Sequence, residues 1–245
     1  MVAAKTAMDS AYDCGHVVEI EQEPRHHLVI ENEFVRAFAV EIAPHDRTLC
    51  HRHPQDYLLY VASGAEIVSA AQGEEPKRLN YSDGECELSA AGLVHVVENL
   101  SDKPFRNIVV ELSPRARELR CGASPRLIVA EGNEVQLLKE TRITRLFDAA
   151  RAAIFSVEIE PGAELEIAGP AIVSAPYGNA LDPNAVAHVE VKQNPVSDLG
   201  WISPGQVGSV WCCWKDAGKA VVFQLGRPTD GEGVAMLKER WAEGG

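Results

Sequence analysis

Cys50-His51-Arg52-His53-Pro54-Gln55-Asp56-Tyr57 is the stretch of this 245-residue chain with the clearest chemical content. Two histidines one residue apart lie on the same face of a β-strand, because side chains alternate with period two and the strand rises about 3.3 Å per residue. Their imidazoles can share one ion. A third ligand must come from another strand, and the run Gly84, Ala90, Gly92, His95, Asn99 offers one between glycines that permit tight turns. His51, His53 and His95 are therefore the expected metal ligands. Imidazole suits zinc, iron, nickel and copper alike. A site of three histidines leaves positions open for substrate, water or dioxygen, so it allows oxygen activation at Fe(II) or Lewis-acid polarisation of a carbonyl beside a base. Tyr57 is expected as an acid/base or substrate hydrogen-bonding group. Arg36 is a candidate carboxylate clamp, because its planar fork matches carboxylate geometry, although an exposed place on a barrel rim is the commoner fate of such a residue. His16, His26, His27 and His45 read as ordinary hydrogen-bonded surface or core residues.

The elements that must position these side chains read as short strands. The stretches 27–30, 35–42, 57–62, 65–70, 86–88, 95–97 and 107–112 are rich in Val, Ile, Leu and Tyr, with turn clusters such as Ala43-Pro44-His45-Asp46, Ser63-Gly64 and Ser82-Asp83-Gly84 between them. Strands at this spacing without intervening helices predict an all-β sandwich or barrel. One helix is expected, near the end of the chain, where Val234, Leu237 and Trp241 recur at helical spacing.

The second half repeats the first. Phe38-Ala39-Val40-Glu41-Ile42-Ala43-Pro44 returns as Phe155-Ser156-Val157-Glu158-Ile159-Glu160-Pro161, and 107–112 has an echo in 220–225. At constant offset His51, Arg52 and His53 fall opposite Ala168, Gly169 and Pro170, and His188 is the only histidine of that half. The second copy has lost its ligands. The polar, turn-rich stretch 112–125 suits a boundary, giving a metal-bearing domain over 1–120 and a degenerate one over 121–245.

Composition narrows the class. With 46% hydrophobic and 24% charged residues the chain is of ordinary globular make-up. A formal charge of −13 argues against nucleic acid, whose binding rests on basic residues neutralising phosphate. No run approaches the roughly 18 apolar residues of a membrane span, and the N-terminus lacks the order of a signal peptide. A cytoplasmic protein acting on a small molecule is the expectation, with homodimerisation through strand edges allowed. The six cysteines show no CxxC spacing and are expected as buried free thiols of a reducing compartment.

The two histidine motifs resemble those of the cupin superfamily. The first runs from Pro44 through His51-Arg52-His53 to Tyr57 and Gly64. The second, G-x5-P-x-G-x2-H-x3-N, reads Gly84, Ala90, Gly92, His95, Asn99 with alanine in place of proline. The resemblance covers 28–112 through these motifs and 145–225 through the internal repeat. It implies two double-stranded β-helix (jelly-roll) barrels in tandem, a bicupin with one degenerate half, and a divalent metal ion in the first. Seven residues before Gly64, where the family's glutamate ligand sits, this chain has Tyr57, with Asp56 beside it on the opposite pleat. Three neutral imidazoles would then hold the ion, similar to the iron sites of cysteine and gentisate-type dioxygenases, unless a bulge turns Asp56 inward. Fe2+ is the metal this resemblance favours, ahead of Zn2+, Ni2+ or Mn2+. The expected function is a three-histidine, dioxygenase-like enzyme, with a metal-dependent isomerase or lyase, or a non-catalytic small-ligand binder, as alternatives.

Overall fold

A computed structural model of the chain describes residue 12 and residues 14–121, 126–128, 142–149, 151–159, 164–176, 190–192, 197–211 and 218–228. Among them every regular element is a strand except two 3-10 turns, Ile20–Gln22 and Pro114–Glu118. The all-β expectation holds; the helix expected near Val234 lies outside the described residues. The chain divides into two compact units, Met1–Pro114 and Arg115–Gly245.

The first unit contains β1 (Val18–Glu19), β2 (His26–Glu31), β3 (Val35–Ile42), β4 (His51–Arg52), β5 (Asp56–Ser63), β6 (Glu66–Ala71), β7 (Lys77–Asn80), β8 (Cys86–Ser89), β9 (Val94–Asn99) and β10 (Phe105–Leu112). They form two five-stranded sheets, β1-β4-β9-β6-β7 and β2-β3-β10-β5-β8. Alternation along β3, β5 and β10 turns Phe38, Val40, Tyr57, Val61, Phe105 and Val109 inward, where they meet Ile67 of β6 and Val97 of β9. Burial of these large apolar side chains is what holds the sheets face to face.

Local chemistry fixes the turns between them. Gly84 and Gly92 take φ of +86° and +91°, a backbone region that side chains disfavour. A Cβ on Gly64 would collide with the carbonyl oxygen of Tyr81. Asn99, fully buried, donates from Nδ2 to the carbonyls of Ile42, Ala43 and Lys103 and accepts from Ser101 through Oδ1. The motif asparagine thus ties two loops to the end of β9.

One expectation needs correcting: Cys14 and Cys50 are joined in a disulfide rather than free. Disulfides persist in oxidising surroundings, which is the reverse of the premise behind the cytoplasmic reading. Cys86 is free and half-buried, and burial pushes its thiol up to about 12. No helix among the described residues is long and apolar enough to cross a membrane.

The second unit contains β11 (Arg120–Cys121), β12 (Arg126–Ile128), β13 (Arg142–Ala149), β14 (Ala152–Ile159), β15 (Glu164–Ala168), β16 (Ala171–Pro176), β17 (Glu190–Lys192), β18 (Ser197–Ile202), β19 (Val207–Trp211), β20 (Gly218–Leu225) and β21 (Arg227–Pro228). Its main sheet runs β13-β14-β20-β16-β18-β17, with a three-stranded sheet β12-β15-β19 and a short pair β11-β21. Ile154, Ile167, Ile172, Leu199 and Phe223 are fully buried in it.

Candidate metal centre

Strand register brings the expected ligands together. β4 pairs antiparallel with β9, and His51 stands directly opposite His95. His53 follows just beyond β4, where its N–H donates to the Leu93 carbonyl and its carbonyl accepts from Gly92, so the pleat continues and His51 and His53 both face inward. The ring centroids of His51 and His95 are 4.6 Å apart, those of His53 and His95 5.2 Å, and the Nε2 atoms of His53 and His95 face each other at 3.3 Å.

A fourth histidine joins them. His26, expected to be an ordinary structural residue, enters from the start of β2, and ligand atoms of His26, His51 and His53 all lie within 4.8 Å of one another. His26, His51, His53 and His95 are each buried.

On three of the four rings the nitrogen that does not face the cluster has a partner outside it. His26 Nδ1 lies 2.7 Å from the carboxylate of Glu23. His51 Nδ1 lies 2.9 Å from the Leu49 carbonyl, which can only accept, so the proton is on Nδ1 and Nε2 is left with a free lone pair. His95 Nδ1 lies 3.3 Å from Ser69 Oγ. Burial alone would raise the Glu23 carboxyl, but its bonds to His26 and to the N–H groups of Leu49 and Arg25 outweigh that and hold it at about 2. A fixed negative charge therefore sits behind His26.

Burial is the main cause that lowers His51 to about 4, with the neighbouring His26 ring adding to it. It also drives His53 and His95 well below the ordinary histidine range, reinforced by their neighbouring imidazoles. Their lone pairs are free at neutral pH. The His53 Nδ1 to Glu111 Oε1 separation of 3.7 Å is accordingly no ion pair: the imidazole is neutral, and burial pushes the Glu111 carboxyl up against the opposing pull of Arg36.

Arg36 is engaged with the protein rather than open to a substrate. Its Nε and Nη2 donate to Glu111 Oε2 at 3.0 and 2.5 Å, and Nη1 donates to Glu21 at 3.2 Å. This corrects the carboxylate-clamp expectation. The register of β3 on β10 places Arg36 directly opposite Glu111, so the fork is filled by its cross-strand neighbour. Asp56 does not turn inward either; its Oδ1 accepts from the Ala91 N–H at 3.0 Å. Tyr57 is buried and stacks on His53 with ring centroids 4.2 Å apart. Burial pushes its hydroxyl up to about 12, opposed by a hydrogen bond with Ser89 and aided by Glu87 and Glu111.

All four histidines and Tyr57 line a cavity of about 620 Å³ between the two sheets. The donor set fits a divalent ion. Two nitrogens bonded at about 2.1 Å to one ion stand about 3 to 4 Å apart, which is the spacing of the His53 and His95 Nε2 atoms. His51 Nε2 is buried with no hydrogen-bond partner, a state that burial in a protein makes costly unless something binds it. His53 Nδ1 and Glu111 Oε1 are likewise unpartnered and lie close enough to join by a small shift.

No protein-family model matches the sequence, and no curated protein does. Solved structures match. The salicylate 1,2-dioxygenase of Pseudaminobacter salicylatoxidans aligns over 88% of this chain and 78% of its own, with TM-score 0.50 and 12% identity. A mutant of the same enzyme aligns over 97% and 83%, with TM-score 0.51 and 12% identity. A cupin domain from Bordetella pertussis Tohama I is 24% identical over 36% of this chain and 91% of its own, with TM-score 0.35. At 12% identity the likeness to the dioxygenase is one of fold, and the chemistry has to be argued from the residues.

Proposed function

We propose, from the premise that this chain has the cupin fold, that its first unit is a metal-dependent, dioxygenase-like site for a small organic molecule. The observation that carries this reading is the convergence of four buried imidazoles on the wall of a cavity large enough for a substrate. His51, His53 and His95 would hold the ion, with His26 as a fourth nitrogen. Fe(II) at such a site supplies redox chemistry toward dioxygen together with Lewis acidity toward a substrate oxygen.

The protein's own groups have definite tasks. Glu23 and the Leu49 carbonyl fix the rings of His26 and His51 so that Nε2 faces the cluster. Arg36 holds Glu111 by one oxygen and leaves the other toward His53 Nδ1. Tyr57 keeps its proton at neutral pH and can donate a hydrogen bond to a substrate lying beside His53. Leu59, Ile67, Val97 and Val109 make the cavity wall apolar, which limits water at the reacting centre.

Elemental analysis of protein purified without chelator, followed by oxygen uptake against a panel of phenols and small acids, tests the proposal. Iron at about one per chain with substrate-dependent uptake is the expected result. Zinc or nickel without uptake would move the site to isomerase or lyase chemistry, and absence of any bound metal would end the metal-site reading.

A further inference from the structure

The cavity wall is apolar where β3, β5, β6 and β10 face it, through Val40, Ile42, Leu59, Ile67 and Val109. Asn107 interrupts that wall. It lines the cavity, is only 3% exposed, and its Oδ1 has no hydrogen-bond partner. On β10 the residues Phe105, Asn107, Val109 and Glu111 share one face of the pleat. That same face carries the carboxylate beside His53. Asn107 is in register with Val40, and Val40 with His26, so two strand spacings, about 10 Å, separate the backbones of Asn107 and His26. A molecule of one or two rings held at the histidines reaches that far.

An unsatisfied buried amide is costly to the apo protein, and a ligand group that pairs with it recovers the loss. Rotation about the last torsion of a carboxamide is soft, so either end can face the cavity. A hydroxyl pairs with both ends, donating to Oδ1 or accepting from Nδ2.

Charge narrows the ligand further. Among the described residues lining the cavity Lys77 is the one cation, and its ammonium donates to Glu74 at 2.7 Å. Glu74, Glu75 and Glu87 stand on the same lining, and Arg36, tied to Glu111 and Glu21, does not. A substrate bearing a carboxylate away from the ion would meet carboxylates and no open cation.

We propose that Asn107 is a specificity-determining residue that reads a hydroxyl on an uncharged, otherwise apolar substrate. This rests on the small-molecule reading of the same cavity and adds the class of molecule it takes. Equilibrium binding, measured by calorimetry without turnover on the protein as purified, separates the two. The probes are phenol and 2-naphthol, their methyl counterparts toluene and 2-methylnaphthalene, and the anions benzoate and 2-naphthoate.

In wild type the hydroxylated probes are expected to bind at least tenfold more tightly than the anions. Asn107→Leu, close in volume, should weaken phenol or 2-naphthol by about tenfold and leave the methyl compounds within twofold. Thermal unfolding of the variant should be unchanged or raised, since a buried unpaired amide is removed, and Asn107→Gln should retain part of the hydroxyl preference. Equal weakening of hydroxylated and methylated probes by Asn107→Leu, tighter binding of the anions, or no binding of either hydroxylated probe at millimolar concentration would overturn the proposal. The proposed oxygen chemistry fails separately: hydroxyl discrimination without oxygen uptake leaves Asn107 its role, whereas uptake without discrimination removes it.

Discussion

The two units share a scaffold and differ in what they bury in it. The sheet β2-β3-β10-β5-β8 of the first has its counterpart in the order β13-β14-β20-β16-β18 of the second, and the pair β4-β9 corresponds to β15-β19. In the first unit that pair sets His51 opposite His95. In the second it sets Ile167 opposite Gly208, and neither strand contains a histidine. Ile167 is fully buried. The strand order therefore forms without imidazoles. Buried imidazoles lower stability relative to apolar side chains, so the first unit keeps four of them for something other than folding.

The sharpest test of that contrast is removal of a ligand from each half. His51→Ala and His95→Ala are each expected to cut bound divalent metal to below a tenth of the wild-type content and to abolish oxygen uptake, because a missing imidazole cannot be replaced from an apolar wall. His188→Ala, in the half without the cluster, should leave both unchanged. Metal loss on His188→Ala, or full retention on His51→Ala, would break the distinction between the units.

That distinction was largely readable in the sequence, and the residues show where reading stopped. The motif spacings place His51, His53 and His95 on paired strands because alternation and glycine turns are local properties, and Gly84 and Gly92 do adopt positive φ. His26 was missed. The run Leu28-Val29-Ile30 is apolar at every position, so alternation assigns no inward face, and a register shift between Leu28 and Ile30 alters the pattern further. The signal that existed was Glu23 three residues before His26, a carboxylate spaced to hold an imidazole. The engagement of Arg36 was not legible for a different reason: its partner Glu111 is 75 residues away and meets it only through the register of β3 on β10. The bond between Cys14 and Cys50 is equally a product of the fold, through the arm that pairs β1 with β4.

Acid should expose the same difference as a loss of stability. The metal-free first unit buries His51 with its imidazole lowered to about 4, and His53 and His95 lower than the ordinary range, against about 6.5 in an unfolded chain. Between those values the unfolded state binds more protons than the folded one, so the stability of the first unit is complete above about pH 6.5 and falls as pH drops toward 4. For His51 alone the shift corresponds to the order of 3 kcal/mol. Glu23, held at about 2, stays ionised across this window and adds no slope in its upper part. Thermal unfolding of chelator-treated protein should show one acid-labile transition, which saturating divalent metal protects near pH 6. A metal-free protein with a flat profile from pH 7 to 4.5 would show that these imidazoles are not buried as neutral groups.

The smallest expected effect tests whether His26 belongs to the set. Glu23 holds His26 Nδ1 at 2.7 Å through Oε2, while its Oε1 accepts from the Leu49 N–H at 3.2 Å. Every group around the carboxylate is a donor, the Arg25 N–H and guanidinium included. Glu23→Gln removes the charge and sets an amide N–H₂ against one of those donors, whichever way the amide is turned. If His26 is a ligand, its ring loses the carboxylate that orients it, and metal affinity should fall by about 10- to 100-fold. Competition with a chelator of known affinity reads that change directly. The second unit contains no such carboxylate–histidine pair among its described residues, so the loss has no counterpart there. Unchanged affinity in Glu23→Gln, with the fold intact by circular dichroism, would return His26 to a structural role and leave His51, His53 and His95 as the whole ligand set.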